Sequence, residues 1–327
     1  MEPSQRVRRE VSVPAELAGE RADKAAALLF GDFSRALLAR WIADGSLTVD
    51  GAAVKPRARL AGGEALRIDA IEPAREDWTS AQTVTFRVVF EDDDLLIIDK
   101  PAGVVVHPGA GNRDRTLVNG LLSYRPSLAA LPRAGIIHRL DKDTSGLLVV
   151  AGSMRAHTRL VRDLQARRIE RRYLAVTEGR LRSGRDIDAP IGRDPNIRTR
   201  QRVREDGKPA LTRVRVRERY RVHTLIEAEL ATGRTHQIRV HLASIGHPLV
   251  GDRRYGARGR LPPAADTALV DVLRGFQRQA LHAWRLALTH PHSGARLEFE
   301  APPPADMTAL MEALEADLAA QPDGDRD

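Results

Sequence analysis

Residues 135–150 read GIIHRLDKDTSGLLVV and set a short polar segment between two apolar runs. The runs, Gly135–Ile137 and Leu147–Val150, have the apolar character of buried strands. The Asp, Thr, Ser and Gly residues between them are turn formers. The stretch therefore predicts a strand, a charged loop and a second strand. Loops held by rigid strands often carry catalytic side chains.

Asp141 and Asp143 are the two carboxylates of that loop. Either one can cap a turn, because Asp side chains accept hydrogen bonds from nearby backbone N–H groups. Either one can also do chemistry. Two carboxylates so close in one loop do not secure the separation that a glycosidase pair needs. The loop alone leaves the structural and the catalytic interpretations open.

Composition limits the classes of function. The chain has 327 residues, 42% of them hydrophobic, which suffices for one large domain and one small domain. Its 52 Lys and Arg residues exceed its 44 Asp and Glu residues and give a net charge of +8. Most of the positive charge comes from Arg, whose planar guanidinium suits phosphate and base recognition. A polyanionic partner is therefore predicted, beside the simpler interpretation of a solvated basic surface.

Cysteine is absent from the sequence. Its absence excludes disulfide bonds, cysteine zinc sites and the thiolate with which enzymes that methylate uridine at C5 commonly attack C6. No apolar run is long enough to span a membrane, and the first residues, Met1 to Arg6, lack the apolar segment of a signal peptide. We therefore expect a cytoplasmic protein with no membrane partner.

Changes in sequence pattern predict two domains. Apolar residues at helical spacing between Arg21 and Leu38, with Ser34 as the N-cap of a second helix, precede a strand and the hairpin turn Asp50-Gly51. Periodicity is lost after Ile71, where a linker is expected. The predicted parts are a disordered terminus at 1–10, a first domain at 11–73, a linker at 74–85, a second domain at 86–318 and a disordered tail at 319–327.

Five sequence blocks of the second domain match those of one known family in the same order. The loop block, His138 to Val150, contains HRLD followed by TSGL without a gap. The other blocks are Lys100 to Pro108, Arg172 to Val176, Thr232 to Leu242 and Gly246 to Asp252. Together they resemble the RNA pseudouridine synthases of the ribosomal large-subunit type A branch. The resemblance implies an α+β catalytic domain on a long, mostly antiparallel mixed sheet, with an RNA cleft across it.

The same resemblance implies the active-site residues. It assigns Asp141 as the catalytic residue, Arg239 as its basic partner, Tyr173 as the aromatic residue that packs on uracil and Arg139 as a residue near the extruded base. Free Asp has a pKa of about 3.9, and burial would raise it, so a guanidinium beside Asp141 suits a carboxylate that must stay ionised. For Arg139, a salt bridge within the loop is an equally good interpretation.

The reaction of this family breaks the N1–C1′ bond of uridine, turns the detached uracil and joins its C5 to C1′. No group is added or lost, and the resemblance implies no cofactor and no metal. The carboxylate could attack C1′, attack C6 or remove the C2′ proton, and the sequence does not choose among these. The target nucleotide must leave its stack, which costs roughly a few kcal/mol and least in loops and bulges.

His236 and His241 are the nearest approach to a metal pair in the sequence. If their segment is a strand, an odd separation places the two side chains on opposite faces, and the chain has no HExxH pattern. Both are therefore predicted to be core or loop histidines.

The first domain is similar, less closely, to the S4-type RNA-binding domain. A helix that opens at Ser34-Arg35 and closes near Gly45, followed by Val49-Asp50-Gly51, carries this similarity. It implies basic side chains that contact RNA, and an ordinary solvated surface is the alternative for each. The candidates are Arg35, Arg40 and Lys55, with Arg234 in the second domain.

Three further segments resemble the synthase D group, which modifies uridines in the helix 69 hairpin of 23S rRNA. They are Pro132 to Gly135, Thr158 to Val161 and Phe276 to Ala283, whereas Gly256 to Gly275 matches poorly. We expect a monomer that isomerises these uridines to pseudouridine in the large ribosomal subunit or its precursor. The alternatives are a sister synthase for other large-subunit uridines and a non-catalytic RNA-binding or ribosome-assembly factor.

Overall fold

The computed structural model describes residues 6–33, 35–71, 80–109, 111–197, 199–256 and 259–320. The chain divides into two compact units, Met1–Asp77 and Trp78–Asp327, so the division falls inside the linker predicted at 74–85. The predicted cap Ser34, residues 74–79 of that linker and the end of the tail from residue 321 lie outside the described residues.

The first unit is an antiparallel sheet with two helices. Its elements are β1 (Arg6–Ser12), α1 (Ala22–Leu29), α2 (Arg35–Asp44), β2 (Leu47–Val49) and β3 (Ala65–Ile71), and the strand order is β1-β3-β2. The predicted turn after β2 is confirmed, because Asp50 and Gly51 have φ values of 48° and 78° and Val49 bridges Ala52. Buried apolar residues from both helices and from β2 and β3 form a core of their own, among them Leu38, Ile42, Leu47 and Leu66.

The expected disorder at residues 1–10 is wrong for Arg6–Glu10. This segment pairs with β3 in register, from Arg6 opposite Ile71 to Ser12 opposite Ala65. Its charged side chains are also paired across the strands, since Arg6 lies 2.7 Å from Asp69. This strand is exposed and its charged residues pair across the strands, so it lacks the alternation of apolar and polar residues from which a strand is predicted.

The second unit is built on one long mixed sheet. Its strands are β4 (Arg87–Glu91), β5 (Leu95–Lys100), β6 (Ser145–Ala151), β7 (Glu170–Glu178), β8 (Arg185–Asp188), β9 (Ile191–Arg193), β10 (Gln201–Val203), β11 (Leu211–Arg219), β12 (His223–Leu230), β13 (Leu281–Thr289) and β14 (Arg296–Glu300). The sheet order is β4-β5-β6-β13-β7-β12-β11-β8, with β14 beside β13 and a separate pair of β9 and β10. Only β6 and β13 run parallel among the described strand pairs of this sheet, which confirms the predicted α+β domain with a mostly antiparallel sheet.

The described residues of this unit also form five α-helices: α3 (Leu117–Tyr124), α4 (Met154–Gln165), α5 (Gln237–Ser244), α6 (Thr267–Gly275) and α7 (Ala305–Ala319). The possible strand around His236 and His241 is therefore wrong, because the second half of that block is α5. None of the described helices combines the length and the apolar character needed to cross a membrane.

The apolar run after the polar loop is β6, a strand buried on both faces. Leu148 and Val150 join the core on one side of the sheet, and Leu147 and Val149 join the core on the other. Gly146 allows β6 to approach β13, since a Cβ there would lie 2.3 Å from the Ala283 carbonyl oxygen and its φ is +112°. The second strand of the opening motif is therefore confirmed.

The first strand of that motif does not form. Pro132–Gly135 make a short helical turn instead, in which Arg133 and Ala134 have positive φ values of 55° and 52°. After this turn only Ile136 pairs with the sheet, through an isolated bridge to Val150. Pro132 cannot donate to a strand ladder, and the Gly135 that follows has a φ of +79°.

Candidate active site

The loop that carries Asp141 is fixed by bonds to its backbone. The Thr144 N–H donates to the Asp141 carbonyl oxygen at 3.1 Å. The Lys142 carbonyl oxygen accepts from the Gly103 N–H at 2.9 Å and from the Lys100 Nζ at 3.0 Å. These contacts tie the loop to the end of β5, and they leave the Asp141 side chain 17% exposed.

Lys100 is fully buried beneath this loop. Its Nζ also donates to the carbonyl oxygens of Pro101 and Val104, at 2.8 and 2.9 Å. Burial lowers the pKa of Lys100 to about 7, against the attraction of Asp143 and Asp141. Three carbonyl acceptors match the three N–H groups of an ammonium, so these contacts favour the protonated form against the burial that lowers its pKa.

Arg239 meets Asp141 as the resemblance implies. One guanidinium nitrogen, NH1, donates to Asp141 Oδ2 at 2.8 Å, although the two residues are 98 positions apart in the chain. The other side of the guanidinium binds Asp252 in a bidentate pair, with Nε at 2.7 Å and NH2 at 2.9 Å. Arg239 thus bridges one carboxylate that is partly open to solvent and one that is 1% exposed.

Asp252 is the buried anchor of the arrangement. Besides Arg239 it accepts from the backbone N–H groups of Arg254 and Tyr255, at 3.0 and 3.1 Å. Burial alone would raise the pKa of the Asp252 carboxyl, but the hydrogen bonds and charge of Arg239 hold it below its usual range. The pKa of Arg239 is raised in turn, because the bonds and charges of Asp252 and Asp141 outweigh the effect of burial. Arg239 therefore stays a fixed cation against Asp141.

The start of α5 aims Arg239 at this point. Gln237 makes four hydrogen bonds: its oxygen accepts from the Thr232 hydroxyl at 2.7 Å and the Arg234 N–H at 3.0 Å, and its amide donates to the Leu211 carbonyl and the Thr212 hydroxyl, both at 3.0 Å. The residue before the helix, His236, adopts a left-handed conformation with φ 58° and ψ 23°. A non-glycine residue in that conformation stores strain, which surrounding contacts must hold.

His236 lies beside the same carboxylate. Its Nε2 is 3.9 Å from Asp141 Oδ1, and its Nδ1 is 2.7 Å from the Tyr255 hydroxyl. Tyr255 also receives the Arg239 guanidinium over its ring, 5.0 Å from the centroid. Burial lowers the pKa of His236, although Asp141 opposes the shift, so the imidazole is neutral at neutral pH.

Tyr173 and Arg139 stand differently in the structure. Tyr173 lies on β7 and is 4% exposed. Burial raises the pKa of its hydroxyl; the charge of Arg171 opposes this shift and the charge of Asp141 adds to it. The hydroxyl therefore stays protonated at neutral pH. Arg139 is exposed on the loop. Stacking of uracil on Tyr173 and a contact of Arg139 with the extruded base stay predictions.

The basic residues predicted to bind RNA lie at exposed positions. Arg35 is partly engaged already, because its guanidinium lies 2.8 Å from Asp23. Arg40 and Lys55 are exposed in the first unit, and Arg234 in the second unit donates its Nε to the Pro209 carbonyl at 3.1 Å. The side chains of Arg40 and Lys55 are therefore the freest to meet a phosphate.

No cluster of His, Asp or Glu in the described part of the chain could hold a metal ion. His241 uses both ring nitrogens inside the core, on the Thr212 hydroxyl and the Ala189 carbonyl, each at 2.9 Å. It is the satisfied core histidine that was predicted, although it stands on a helix.

Sequence reasoning missed Asp252, Lys100 and His236 as members of the site. Asp252 and Lys100 both lie inside matched sequence blocks. Each is a charged residue at the end of an apolar strand or turn, and this position could have identified both as candidate site residues. His236 was considered only as a metal ligand. The structure brings all three to Asp141, directly or through Arg239 and the Lys142 carbonyl.

Comparison with known proteins shows the family of this chain. A family model described as RNA pseudouridylate synthase matches residues 94–244, which include Lys100, Asp141, Tyr173 and Arg239. Ribosomal large subunit pseudouridine synthase D of Pseudomonas aeruginosa is 51% identical and covers 97% of this chain and 99% of that protein. The synthase D of Escherichia coli is 49% identical, with coverage of 96% and 97%.

A solved structure is similar as well. Human RNA pseudouridylate synthase domain containing 1 is 27% identical, with a TM-score of 0.54, and covers 74% of this chain and 98% of that one. The predicted resemblance is thus confirmed at the level of sequence, fold and domain length. The chain belongs to the RNA pseudouridylate synthase family and is an RNA-modifying isomerase.

Proposed function

We propose that this enzyme isomerises uridine to pseudouridine in the RNA of the large ribosomal subunit, at the helix 69 hairpin of 23S rRNA, and that Asp141 is its catalytic residue. The observation that carries the proposal is the chain of contacts Asp141–Arg239–Asp252. Relatives of about half identity over nearly the full length, named large subunit synthase D, support the class of substrate.

The chain of contacts suits the reaction because the buried Arg239 gives two hydrogen bonds to one carboxylate and only one to the other. Asp252 takes Nε and NH2 of Arg239 and is enclosed, whereas Asp141 takes NH1 alone and keeps access to the cleft. A partly exposed carboxylate that accepts a single guanidinium N–H retains free lone pairs. Asp141 is therefore the carboxylate that can reach C1′, C6 or the C2′ proton of a bound uridine.

The isomerisation balances with one proton released and one proton taken up. The N1–C1′ bond breaks, the uracil turns, the C5–C1′ bond forms and the C5 proton leaves, while N1 gains a proton from solvent. Tyr173, whose hydroxyl stays protonated, lies within the electrostatic influence of Asp141. In this proposal it retains the detached base or relays the C5 proton, giving up its own hydroxyl proton as it accepts that one. The first unit serves in this proposal as an S4-type RNA-binding domain, through Arg40 and Lys55. A ribosomal substrate would place a monomeric enzyme in the cytoplasm.

The test is to map pseudouridine by carbodiimide modification and primer extension on 23S rRNA. Free transcript and 50S particles, each lacking the modification, are treated with wild-type protein and with Asp141→Ala. We expect stops in the helix 69 hairpin with the wild type only. Stops elsewhere would reassign the target to other uridines, and no stops on either substrate would contradict the proposed activity.

A further inference from the structure

A cavity of about 380 Å³ lies in the second unit beside the segment Gly251–Arg253. Asp252 borders both this cavity and the active site, because the residue lines the cavity while its carboxylate holds Arg239. Much of the remaining wall comes from residues 259–277, a stretch largely inside the segment that matches the family poorly. No step of the reaction uses this cavity.

His223 forms part of the cavity wall and has an unused nitrogen. The residue is 1% exposed, and its Nδ1 has no hydrogen-bond partner in the described part of the chain. The imidazole also bonds the Arg260 backbone, and burial lowers its pKa to about 4, so the ring is neutral. A neutral ring that donates from one nitrogen presents the other as an acceptor. A buried acceptor without a donor costs free energy until a ligand supplies one.

Glu178 stands directly opposite His223, as its register partner on the neighbouring strand β7. It is 3% exposed, and its carboxylate receives no hydrogen bond from the described residues. Burial raises the pKa of Glu178, against the attraction of Arg260. The two residues thus place a carboxylate and an unpartnered imidazole nitrogen in the wall of the same cavity.

Three arginines and a set of apolar side chains also line the cavity. Arg253, Arg260 and Arg274 are exposed there, and none of them forms an ion pair with a described residue. The apolar part of the lining consists of Val250, Leu261, Leu273 and Phe276. Guanidinium groups at a rim recognise phosphate through paired N–H donors.

We propose that this cavity binds one unstacked nucleotide of the RNA substrate, other than the target uridine, and reads its base through Glu178 and His223. This inference deepens the proposed function and rests on it. The amino group of adenine, guanine or cytosine supplies donors to the two acceptors, the apolar wall covers the base, and the arginines meet its phosphate. Uracil is disfavoured because its single N3–H lies between two carbonyl oxygens, which would face the carboxylate.

A nucleotide within RNA fits better than an unrelated small molecule. Sequence-specific proteins read RNA mostly at unstacked bases of loops and bulges, by hydrogen bonds to base edges. The volume lies near the lower end of ordinary ligand pockets, which suits one nucleotide unit. The position beside Asp252 would let a second extruded base fix the register of the strand in the active site.

The test is an abasic scan of the hairpin that the wild-type enzyme modifies. Each loop or bulge nucleotide other than a target uridine is replaced in turn by an abasic unit, and the affinity of full-length protein is measured by fluorescence anisotropy. We expect one position at which the wild type loses about tenfold in affinity. In Glu178→Leu, which removes the acceptor, the same substitution should change affinity by less than about twofold, because the contact is already lost. An unchanged profile in the variant, or a flat profile in the wild type, would overturn the proposal.

Arg274→Gln changes an exposed residue of the cavity wall. It should weaken binding of every RNA in the scan about equally, because an abasic unit keeps its phosphate. Arg215→Gln, an exposed charge on β11 outside the cavity, is the matched control and should keep the wild-type profile. Saturable binding of free AMP, GMP or CMP at micromolar concentration in titration calorimetry would make the cavity a mononucleotide site and overturn the assignment to RNA. Failure to form pseudouridine in any RNA contradicts the proposed function, whereas turnover with a flat scan contradicts the cavity proposal alone.

Discussion

Replacing Asp252 by Asn should destabilise the enzyme far more than an equivalent change at the surface. Asp252 accepts two bonds from Arg239 and two from backbone N–H groups, at distances of 2.7 to 3.1 Å, and its side chain is 1% exposed. The variant keeps the shape but removes the charge, and its amide N–H₂ would face the donors of Arg239. Breaking a buried ion pair by removing one partner costs about 3–5 kcal/mol.

The chain offers a matched control for this change. Asp306 binds Arg278 in the same bidentate geometry, at 2.7 and 2.8 Å, but its side chain is 50% exposed. Asp306→Asn should cost about 1 kcal/mol or less, because exposed ion pairs are screened by water. The comparison keeps the bidentate guanidinium–carboxylate geometry and changes the burial of the carboxylate.

Thermal unfolding at pH 7 measures the difference. Arg239 lowers the pKa of Asp252, although burial opposes the shift. The contribution of Asp252 to the free energy of unfolding is therefore full above its pKa in the unfolded chain, about 3.9, and is lost only as the pH falls through its lower pKa in the folded protein. We expect Asp252→Asn to lower Tm by roughly 6–20 °C and Asp306→Asn by at most about 4 °C. Turnover of Asp252→Asn should fall as well, since Arg239 loses its anchor. Equal shifts in the two variants would refute the assignment of Asp252 as the buried anchor.

Buried and basic side chains elsewhere give three further expectations. Lys100→Met leaves three carbonyl oxygens without their donor, so urea unfolding should show a loss of about 3 kcal/mol, and a loss below about 1 kcal/mol would contradict the role of Lys100. Burial lowers the pKa of His223 to about 4, so its contribution to the free energy of unfolding is full above about pH 6.5 and is lost as the pH falls towards 4. Between these pH values the free energy of unfolding of His223→Leu should change less steeply with pH than that of the wild type, by up to about 1.4 kcal/mol per pH unit. Equal pH dependence in the two proteins would count against a neutral buried ring. If Arg40 and Lys55 contact phosphates, the double change to Gln should flatten the plot of log affinity against log salt by about 1.4–1.8, whereas an unaltered slope would remove both from the RNA interface.

The sequence predicted the elements whose pattern is local. The unbroken apolar run of β6 indicated a strand buried on both faces, and the Asp50-Gly51 turn followed from its residue types. The meeting of Asp141 and Arg239 came from the family resemblance, since no local pattern measures the distance between residues 98 positions apart. Pattern and resemblance together thus supplied the loop and its first partner.

The parts that the sequence did not predict depend on contacts between distant segments. In α5 the residues Gln237 to Leu242 are all buried, so polar and apolar positions show no helical stripe and alternate as in a strand. Gln237 and His241 are tolerated inside because distant residues satisfy their polar atoms. Asp252 was not recognised as an anchor for the same reason, because its role exists only through Arg239.

The central claim, that Asp141 carries the chemistry, is tested most directly by release of hydrogen from C5. Helix 69 RNA labelled with tritium at C5 of its uridines is mixed with excess wild-type enzyme, with Asp141→Asn or with Asp143→Asn, the neighbouring carboxylate of the same loop. RNA affinity is measured in parallel, and we expect it to change little in either variant, since phosphate contacts dominate binding. The account predicts tritium release by the wild type and Asp143→Asn and none by Asp141→Asn. Release by Asp141→Asn at the wild-type rate would contradict it.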